Sequence, residues 1–257
     1  MKALITGASS GIGAEFARIL SEKGYDLILV ARRKKKMETL AKQLKTNVKI
    51  IELDISSTYN CMKLYEEVKK EKIDILINNA GFGLFGKFND TKLDTELDMI
   101  DLNIKTVHAL TKLFLKDFKK RDSGYILNVA SAAAFLPGPL MSTYYATKAY
   151  VLHLTLAINE ELKKDESNVY VGALCPGPVD TEFNKIAKVK FNLPSVDSSY
   201  VCNYAIKQMN KRKMIIIPSV KTKIGIYLAK ILPMNLKLKV SYNIQERKDR
   251  WFVWNII

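Results

Sequence analysis

The sequence predicts an α/β fold: a doubly wound parallel sheet of about seven strands with helices on both faces. Three observations predict it. Short apolar runs alternate with helix-length segments through most of the 257 residues. The runs are apolar at nearly every position rather than every second one, as in strands covered on both faces. Each intervening segment is long enough for the helical crossover that joins parallel strands.

Taken in order, Lys2–Thr6 reads as a strand and Gly11–Lys23 as a helix. Asp26–Ala31 (strand) and Arg33–Lys45 (helix) follow, then Val48–Leu53 (strand) and Ser57–Lys70 (helix). Ile73–Asn78 is the fourth strand, and Leu93–Lys120 is one long helix. Tyr125–Ala130 and Val169–Cys175 are strands on either side of a helix at Thr143–Lys164. A helix near Ser198–Asn210 and a short strand at Met214–Pro218 complete the alternation. There is no repeat and no low-complexity linker, so residues 1–257 read as one domain. Residues 1–181 form its core, 182–213 a region beside the substrate side, and 221–257 a basic helical extension.

Composition bounds the function. Hydrophobic content of 48% and charged content of 26% fit a globular chain with a substantial core. The N-terminal apolar run is too short for a signal peptide, and no run reaches the roughly 20 residues of a spanning helix. Cys61, Cys175 and Cys202 are an odd number without CxxC spacing, which points to a reduced, cytoplasmic chain with no disulfide framework and no metal cluster. The net charge of +15 comes from 34 lysines against 7 arginines, and the lysines are spread over every helical segment. Nucleic-acid recognition favours clustered arginine, so this charge reads as solvated helix faces and no nucleic-acid partner is expected.

The first strand runs into Thr6-Gly7-Ala8-Ser9-Ser10-Gly11-Ile12-Gly13 and then a helix. Glycine serves where the backbone takes a positive φ and where it must come close to a pyrophosphate. A helix start adds unpaired N–H groups and the positive end of a dipole. A strand–glycine loop–helix unit at the head of an α/β sheet is a dinucleotide-binding loop of Rossmann type, with Gly7, Ser9, Ser10, Gly11, Ile12 and Gly13 as its contacts. Where an NAD site carries a carboxylate at the end of the second strand, this chain reads Ala31-Arg32-Arg33. A guanidinium suits a 2′-phosphate, so NADP(H) is expected over NAD(H). Arg32 is the phosphate ligand by position, and Arg33 begins the solvent face of the next helix.

Ser131 ends the fifth strand, at the sheet edge where ligands of this fold bind. Tyr144 and Lys148 are four residues apart on a helix and share a face. A free phenol titrates near 10, and a neighbouring ammonium lowers that value and makes tyrosine a usable acid and base. Tyr145, three before Lys148, shares the face too.

These motifs resemble those of the short-chain dehydrogenase/reductase family, with its TGxxxGxG turn, NNAG segment and Tyr-x-x-x-Lys signature. The resemblance is strong over residues 1–181, fair to Pro218 and thin beyond. It selects Tyr144 over Tyr145 as the general acid/base. It implies that Ser131 holds the substrate oxygen, Lys148 holds the nicotinamide ribose, and Asn103 anchors a proton-relay water. It implies further that Asp54, followed by Ile55, meets the adenine amino group. Asn79, Ala80 and Gly81 would lie along the adenosine ribose. The Pro176-Gly177-Pro178-Val179-Asp180-Thr181 turn would close over the nicotinamide, with Thr181 on its carboxamide. The implied activity is reduction of a carbonyl, or oxidation of an alcohol, in a homodimer or homotetramer.

Three rivals are weaker. A sensor or scaffold that binds dinucleotide without catalysis has no use for the catalytic four. A nucleic-acid binder needs clustered arginine. An epimerase or dehydratase of the extended Rossmann group needs more chain after Thr181. His108 and His153 lack ligand-type neighbours and read as structural; Cys175 reads as a small buried residue. Phe82, Phe85 and Phe88 line an apolar cleft or pack their own loop. The tail from Lys221 is an amphipathic helix pair for the cleft, for a subunit interface or for an anionic membrane surface.

Overall fold

A computed structural model describes residues 1–183 and 195–253 of the protein, with side chains described as far as Glu246 in the last helix. Its strands are β1 (Lys2–Thr6), β2 (Asp26–Ala31), β3 (Val48–Glu52), β4 (Ile75–Asn78), β5 (Tyr125–Val129), β6 (Tyr170–Leu174) and β7 (Ile215–Ile216). They pair in the order β3-β2-β1-β4-β5-β6-β7, each pair parallel. The helices are α1 (Gly11–Glu22), α2 (Lys34–Ala41), α3 (Thr58–Val68), α4 (Leu93–Ile100), α5 (Thr106–Lys120) and α6 (Ser142–Lys164). They continue as α7 (Ser198–Asn210), α8 (Val220–Ile231) and α9 (Met234–Val253). This is the doubly wound sheet that the apolar runs predicted.

The runs are apolar throughout because the sheet has no wet face. Ala3, Ile5, Leu27, Leu29, Ile75 and Ile77 pack with Phe16 and Leu20 of α1, Met37 of α2 and Val201 of α7. The alternate residues Leu4, Ile28, Val30 and Leu76 pack with Leu64 of α3, Phe114 and Phe118 of α5 and Leu162 of α6. Burying one such large side chain contributes about 1.5–3 kcal/mol.

A buried polar ladder crosses the second layer. Asn78 and Asn128 are register partners on β4 and β5. Asn78 Nδ2 donates to Asn128 Oδ1 at 2.9 Å and to Thr111 Oγ1 at 3.1 Å, and Asn128 Nδ2 donates to Thr155 Oγ1 at 3.0 Å. An unmatched buried amide costs about 1–3 kcal/mol, so a slip of one strand against the other is disfavoured. The ladder pins β4 and β5 to α5 and to α6, which carries Tyr144 and Lys148.

Two helices differ from their sequence reading, and one region is described only in part. The second helix ends at Ala41, not Lys45, because the chain turns to dock on α1: Lys45 N and Thr46 Oγ1 both donate to Ser21 Oγ, at 2.8 and 3.0 Å. The long Leu93–Lys120 helix contains a π-helical turn, Asp101–Lys105, between α4 and α5. The predicted 182–213 region is described only in part, since residues 184–194 lie outside the described residues.

The strand order reverses between β1 and β4. Crossovers leave in opposite directions there, and a crevice opens at the carboxyl ends of the strands. The β1–α1 loop, the segment after β4, Ser131 after β5 and the Pro176-Gly177 turn after β6 all lie along that edge.

Candidate active site at the carboxyl edge of the sheet

The loop after β1 owes its shape to its glycines. Gly7 and Gly11 have φ of 65° and 54°, where a side chain is strained. A Cβ on Gly13 would stand 2.4 Å from the Gly7 carbonyl oxygen, so α1 can start this close to β1 only with glycine there. Thr6 Oγ1 accepts from the backbone N–H groups of Asn79 and Ala80 at 3.0 and 3.1 Å, and Asn79 Nδ2 donates to Thr6 O at 3.0 Å. The two loops on either side of the reversal are thereby locked together. The N-cap of α1, Ser10, makes no side-chain capping bond, and the first turn holds no acidic residue. The positive helix end is left for an external anion. A diphosphate fits this cradle of glycines.

Two arginines stand on the adenosine side, and they are arranged differently from the sequence reading. Arg32 Nη1 lies 3.5 Å from Asp54 Oδ2 with most of its side chain in solvent. Arg33 is the one that leans over the phosphate loop, donating to Ser9 Oγ at 2.9 Å and Ser10 Oγ at 2.6 Å. Arg33 also meets Glu182 at 2.8 Å, and Lys36 meets the other oxygen of that carboxylate at 2.5 Å. Hydrogen bonds from Lys36 and Arg33 hold the Glu182 carboxyl down at about 2. Burial pushes the Asp54 carboxyl up, but bonds from Ser56 and the charge of Arg32 outweigh it and leave the group below its ordinary value. Ile55 is buried, and its carbonyl accepts from Thr106 Oγ1 at 2.5 Å.

Ser131, Tyr144 and Lys148 converge beyond β5. Ser131 leaves the strand in extended conformation and caps a 3₁₀ turn, Ala132–Phe135, by accepting from Ala133 N at 3.1 Å. The Tyr144 hydroxyl is in hydrogen-bond reach of the Ser131 side chain. Lys148, one helical turn on, is 5% exposed and donates to Val129 O at 2.8 Å. Its Nζ is 5.9 Å from the centre of the Tyr144 ring. Tyr145 points elsewhere: its ring packs on Gly138, and its hydroxyl bonds Gln245 of α9.

The protonation balance departs from the sequence expectation. Burial pushes the Tyr144 phenol up to about 12, and the hydrogen bond with Ser131 is what pulls the value back. Burial lowers the Lys148 ammonium to about 8, against a raising influence from Cys175. Lys148 does not depress the phenol here, because exclusion of water penalises phenolate more than the ammonium at this distance rewards it. The Cys175 thiol is itself pushed up to about 12 by burial and stays protonated.

Asn103 sits in the π-helical turn and is fully buried. Its side chain is spent on protein: Oδ1 accepts from Phe82 N at 3.1 Å, and Nδ2 donates to Phe82 O at 2.9 Å and Thr147 Oγ1 at 3.1 Å. It clamps the loop after β4 to α6. Gly81 is confined between them, since a Cβ there would stand 2.7 Å from Asn103 Oδ1 and 3.5 Å from Lys148 Nζ. Across the cleft, Ala132 N donates to Pro176 O at 2.8 Å, Val179 bridges to Val196, and Thr181 packs on Gly11, where a Cβ would meet it at 3.1 Å. Phe82 and Phe85 join Leu84, Met141 and Phe183 in an apolar wall around Tyr144, whereas Phe88 is exposed. Thr147, Glu182, Phe183 and Gln245 carried no sequence signal.

The short chain dehydrogenase family model matches residues 1–190. The chain belongs to this family of oxidoreductases. It is 37% identical over 182 residues to an uncharacterized oxidoreductase of Staphylococcus epidermidis, covering 70% of this chain and 78% of the relative. It is 30% identical over 201 residues to the very-long-chain 3-oxoacyl-CoA reductase-B of Danio rerio, covering 75% of this chain and 64% of that protein. Among solved structures, a short-chain dehydrogenase from Sphingobium yanoikuyae in complex with NADPH superposes with a TM-score of 0.80 at 30% identity, covering 90% of this chain and 96% of the other. Among the described residues, no helix is long and apolar enough to cross a membrane.

Lys148 costs the fold stability. Its value drops from 10.5 unfolded to about 8 folded, about 3 kcal/mol of penalty on the buried charge. Below about pH 8 both states are protonated and the whole penalty stands; between there and 10.5 the unfolded chain binds more protons, so stability rises with pH. Lys148→Met is therefore expected to show a Tm at neutral pH no lower than the parent's, and to lack this rise in thermal melts across that window. A lowered Tm would mean that the bond to Val129 outweighs the penalty.

Proposed function

We propose that the chain is an NADP(H)-dependent reductase of apolar ketones or aldehydes, able to run in reverse on the alcohols, with Tyr144 as the acid/base. The observation that carries the reading is a buried phenol, still protonated at neutral pH, next to the Ser131 hydroxyl and backed by a buried ammonium.

A nicotinamide held along this edge supplies the hydride on reduction and takes it on oxidation. The residues of the chain do the rest. Ser131 and Tyr144 together donate hydrogen bonds to the carbonyl oxygen and polarise it. As negative charge grows on that oxygen, Tyr144 gives up its proton, and the alkoxide becomes the alcohol. The charge left on the phenolate is offset by Lys148 one helical turn away, whose attraction is less screened there than in bulk water. Lys148 and the Asn79–Gly81 backbone hold the riboses, Asn103 positions the loop that carries them, and Thr181 holds the carboxamide. A neutral phenol is the donor that reduction needs, which favours that direction near neutral pH. The wall of Phe82, Leu84, Phe85, Met141 and Phe183 has no charged group to meet a polar substrate and favours an apolar one.

Arg33 and Arg32 support NADP(H). Arg33 stands above Ser9 and Ser10, where a 2′-phosphate would join the loop hydroxyls, and Arg32 flanks it beside Asp54. A phosphate arriving there competes with the Glu182 carboxylate for Arg33 and Lys36.

Tyr144→Phe is expected to lower kcat for ketone reduction by about 10²- to 10⁴-fold while NADPH binding, read by fluorescence, is retained. Undiminished turnover would remove Tyr144 from the chemistry. Arg33→Ala and Arg32→Ala are each expected to raise the KM for NADPH about tenfold more than that for NADH. Equal changes for both cofactors would deny the arginines a phosphate role.

A further inference from the structure

The last two helices carry their apolar faces outward. On α8, Val220, Ile224, Tyr227, Leu228 and Ile231 follow helical spacing and form one stripe. Every one of them is exposed, Val220 by 71% and Ile231 by 79%, while Ile226 on the opposite face is the buried residue. On α9 the exposed stripe is Leu236, Val240 and Ile244, and the polar Ser241 and Gln245 are the buried positions. Globular helices place these classes the other way round.

The inward side is tied to the candidate active site. Ser241 donates to Pro137 O at 3.0 Å, Gln245 bonds the Tyr145 hydroxyl, and Thr222 packs against Gly177, where a Cβ would meet its hydroxyl at 2.6 Å. The orientation of the two helices is therefore fixed by bonds, and the outward apolar stripe follows from it.

As far as Ile244 the charge on these helices is of one sign, and Glu246 is the first carboxylate of α9. From Ser219 to Ile244 the sequence has Lys221, Lys223, Lys230, Lys237 and Lys239 and no Asp or Glu. On α8 the helical wheel puts Lys221 on one flank of the stripe and Lys223 and Lys230 on the other. Lysines so placed can stretch their ammonium groups to a charged surface while the stripe between them sinks into an apolar layer. A second copy of the chain is a poor occupant, since a two-fold contact through α8 would set lysines on lysines with no carboxylate on that helix to pair them.

We propose that the α8–α9 face docks the protein on an anionic lipid bilayer, lying in the head-group region without crossing it. Apolar side chains on such helices enter about 5–10 Å, and the break at Pro233 leaves two separate helices to lie in that layer. Docking sets against the lipid the two helices that cover Pro137, Tyr145 and Gly177. The inference does not depend on the proposed chemistry.

The test is sedimentation of the full chain with vesicles of phosphatidylcholine alone and of phosphatidylcholine with about one third phosphatidylglycerol. The expected result is binding to the anionic vesicles about tenfold or more above the neutral ones, weakening as salt is raised. The triple variant Ile224→Ser, Leu228→Ser, Ile231→Ser is expected to lose about tenfold or more of that binding. Lys221→Gln, Lys223→Gln, Lys230→Gln is expected to lose a similar factor on the anionic vesicles alone. Both triples should keep turnover of a water-soluble ketone, since none of these residues touches the cleft. Wild-type binding that ignores lipid charge, or no binding at all, would overturn the proposal. So would a dimer in solution that the serine variant converts to monomer, which would make the face a self-interface.

Discussion

Exclusion of water from Tyr144 and Lys148 is the constraint on which the rest of the structure depends. Burial favours the neutral form of both groups, so it raises the phenol and lowers the ammonium. Only a site that keeps the ammonium near its titration point while holding the phenol protonated can hand over a proton and then stabilise the charge left behind. That site is made by elements remote from each other in the chain. The carboxyl end of β5 supplies Ser131 and the Val129 carbonyl, α6 supplies both ionisable groups, and the segment after β4 covers them.

The supporting interactions show how the sheet serves the site. The Asn78–Asn128 ladder fixes β4 against β5 and ties both to α5 and α6. Asn103 extends the tie to the loop after β4, and it reaches that loop because the π-helical turn interrupts the regular spacing of the long helix. A π turn inside an α-helix is a local departure that recurs at functional sites. Here it turns a buried amide into a clamp.

The sheet, its strands and the glycine loop were legible because each follows from a local pattern: consecutive apolar residues, and glycines at the start of a helix. The ends were not always legible, since the fourth and last strands are shorter than read, at Ile75–Asn78 and Ile215–Ile216. What was not legible depends on direction. Arg32 and Arg33 are adjacent at the end of β2, and spacing alone does not say which one leans over Ser9 and Ser10. Tyr144 and Lys148 are recognisable as a pair, but the sequence cannot weigh their burial, so the expected lowering of the phenol gave way to a raised value. The long helix was visible and its π turn was not, because Asp101–Lys105 has no residue that marks it. The tail read as amphipathic from Lys221, but the side that faces the protein was decided by Ser241 and Gln245 bonding Pro137 and Tyr145, far away in the chain.

The central claim is that a protonated phenol, with a charged lysine behind it, does the work of reduction. The pH dependence of kcat/KM for ketone reduction with NADPH tests this most directly. The account predicts a level profile through neutral pH and a fall as pH rises past about 8, where Lys148 loses its proton. A rate that climbs with pH through the same range would mean that the phenolate is the active form, and would contradict it.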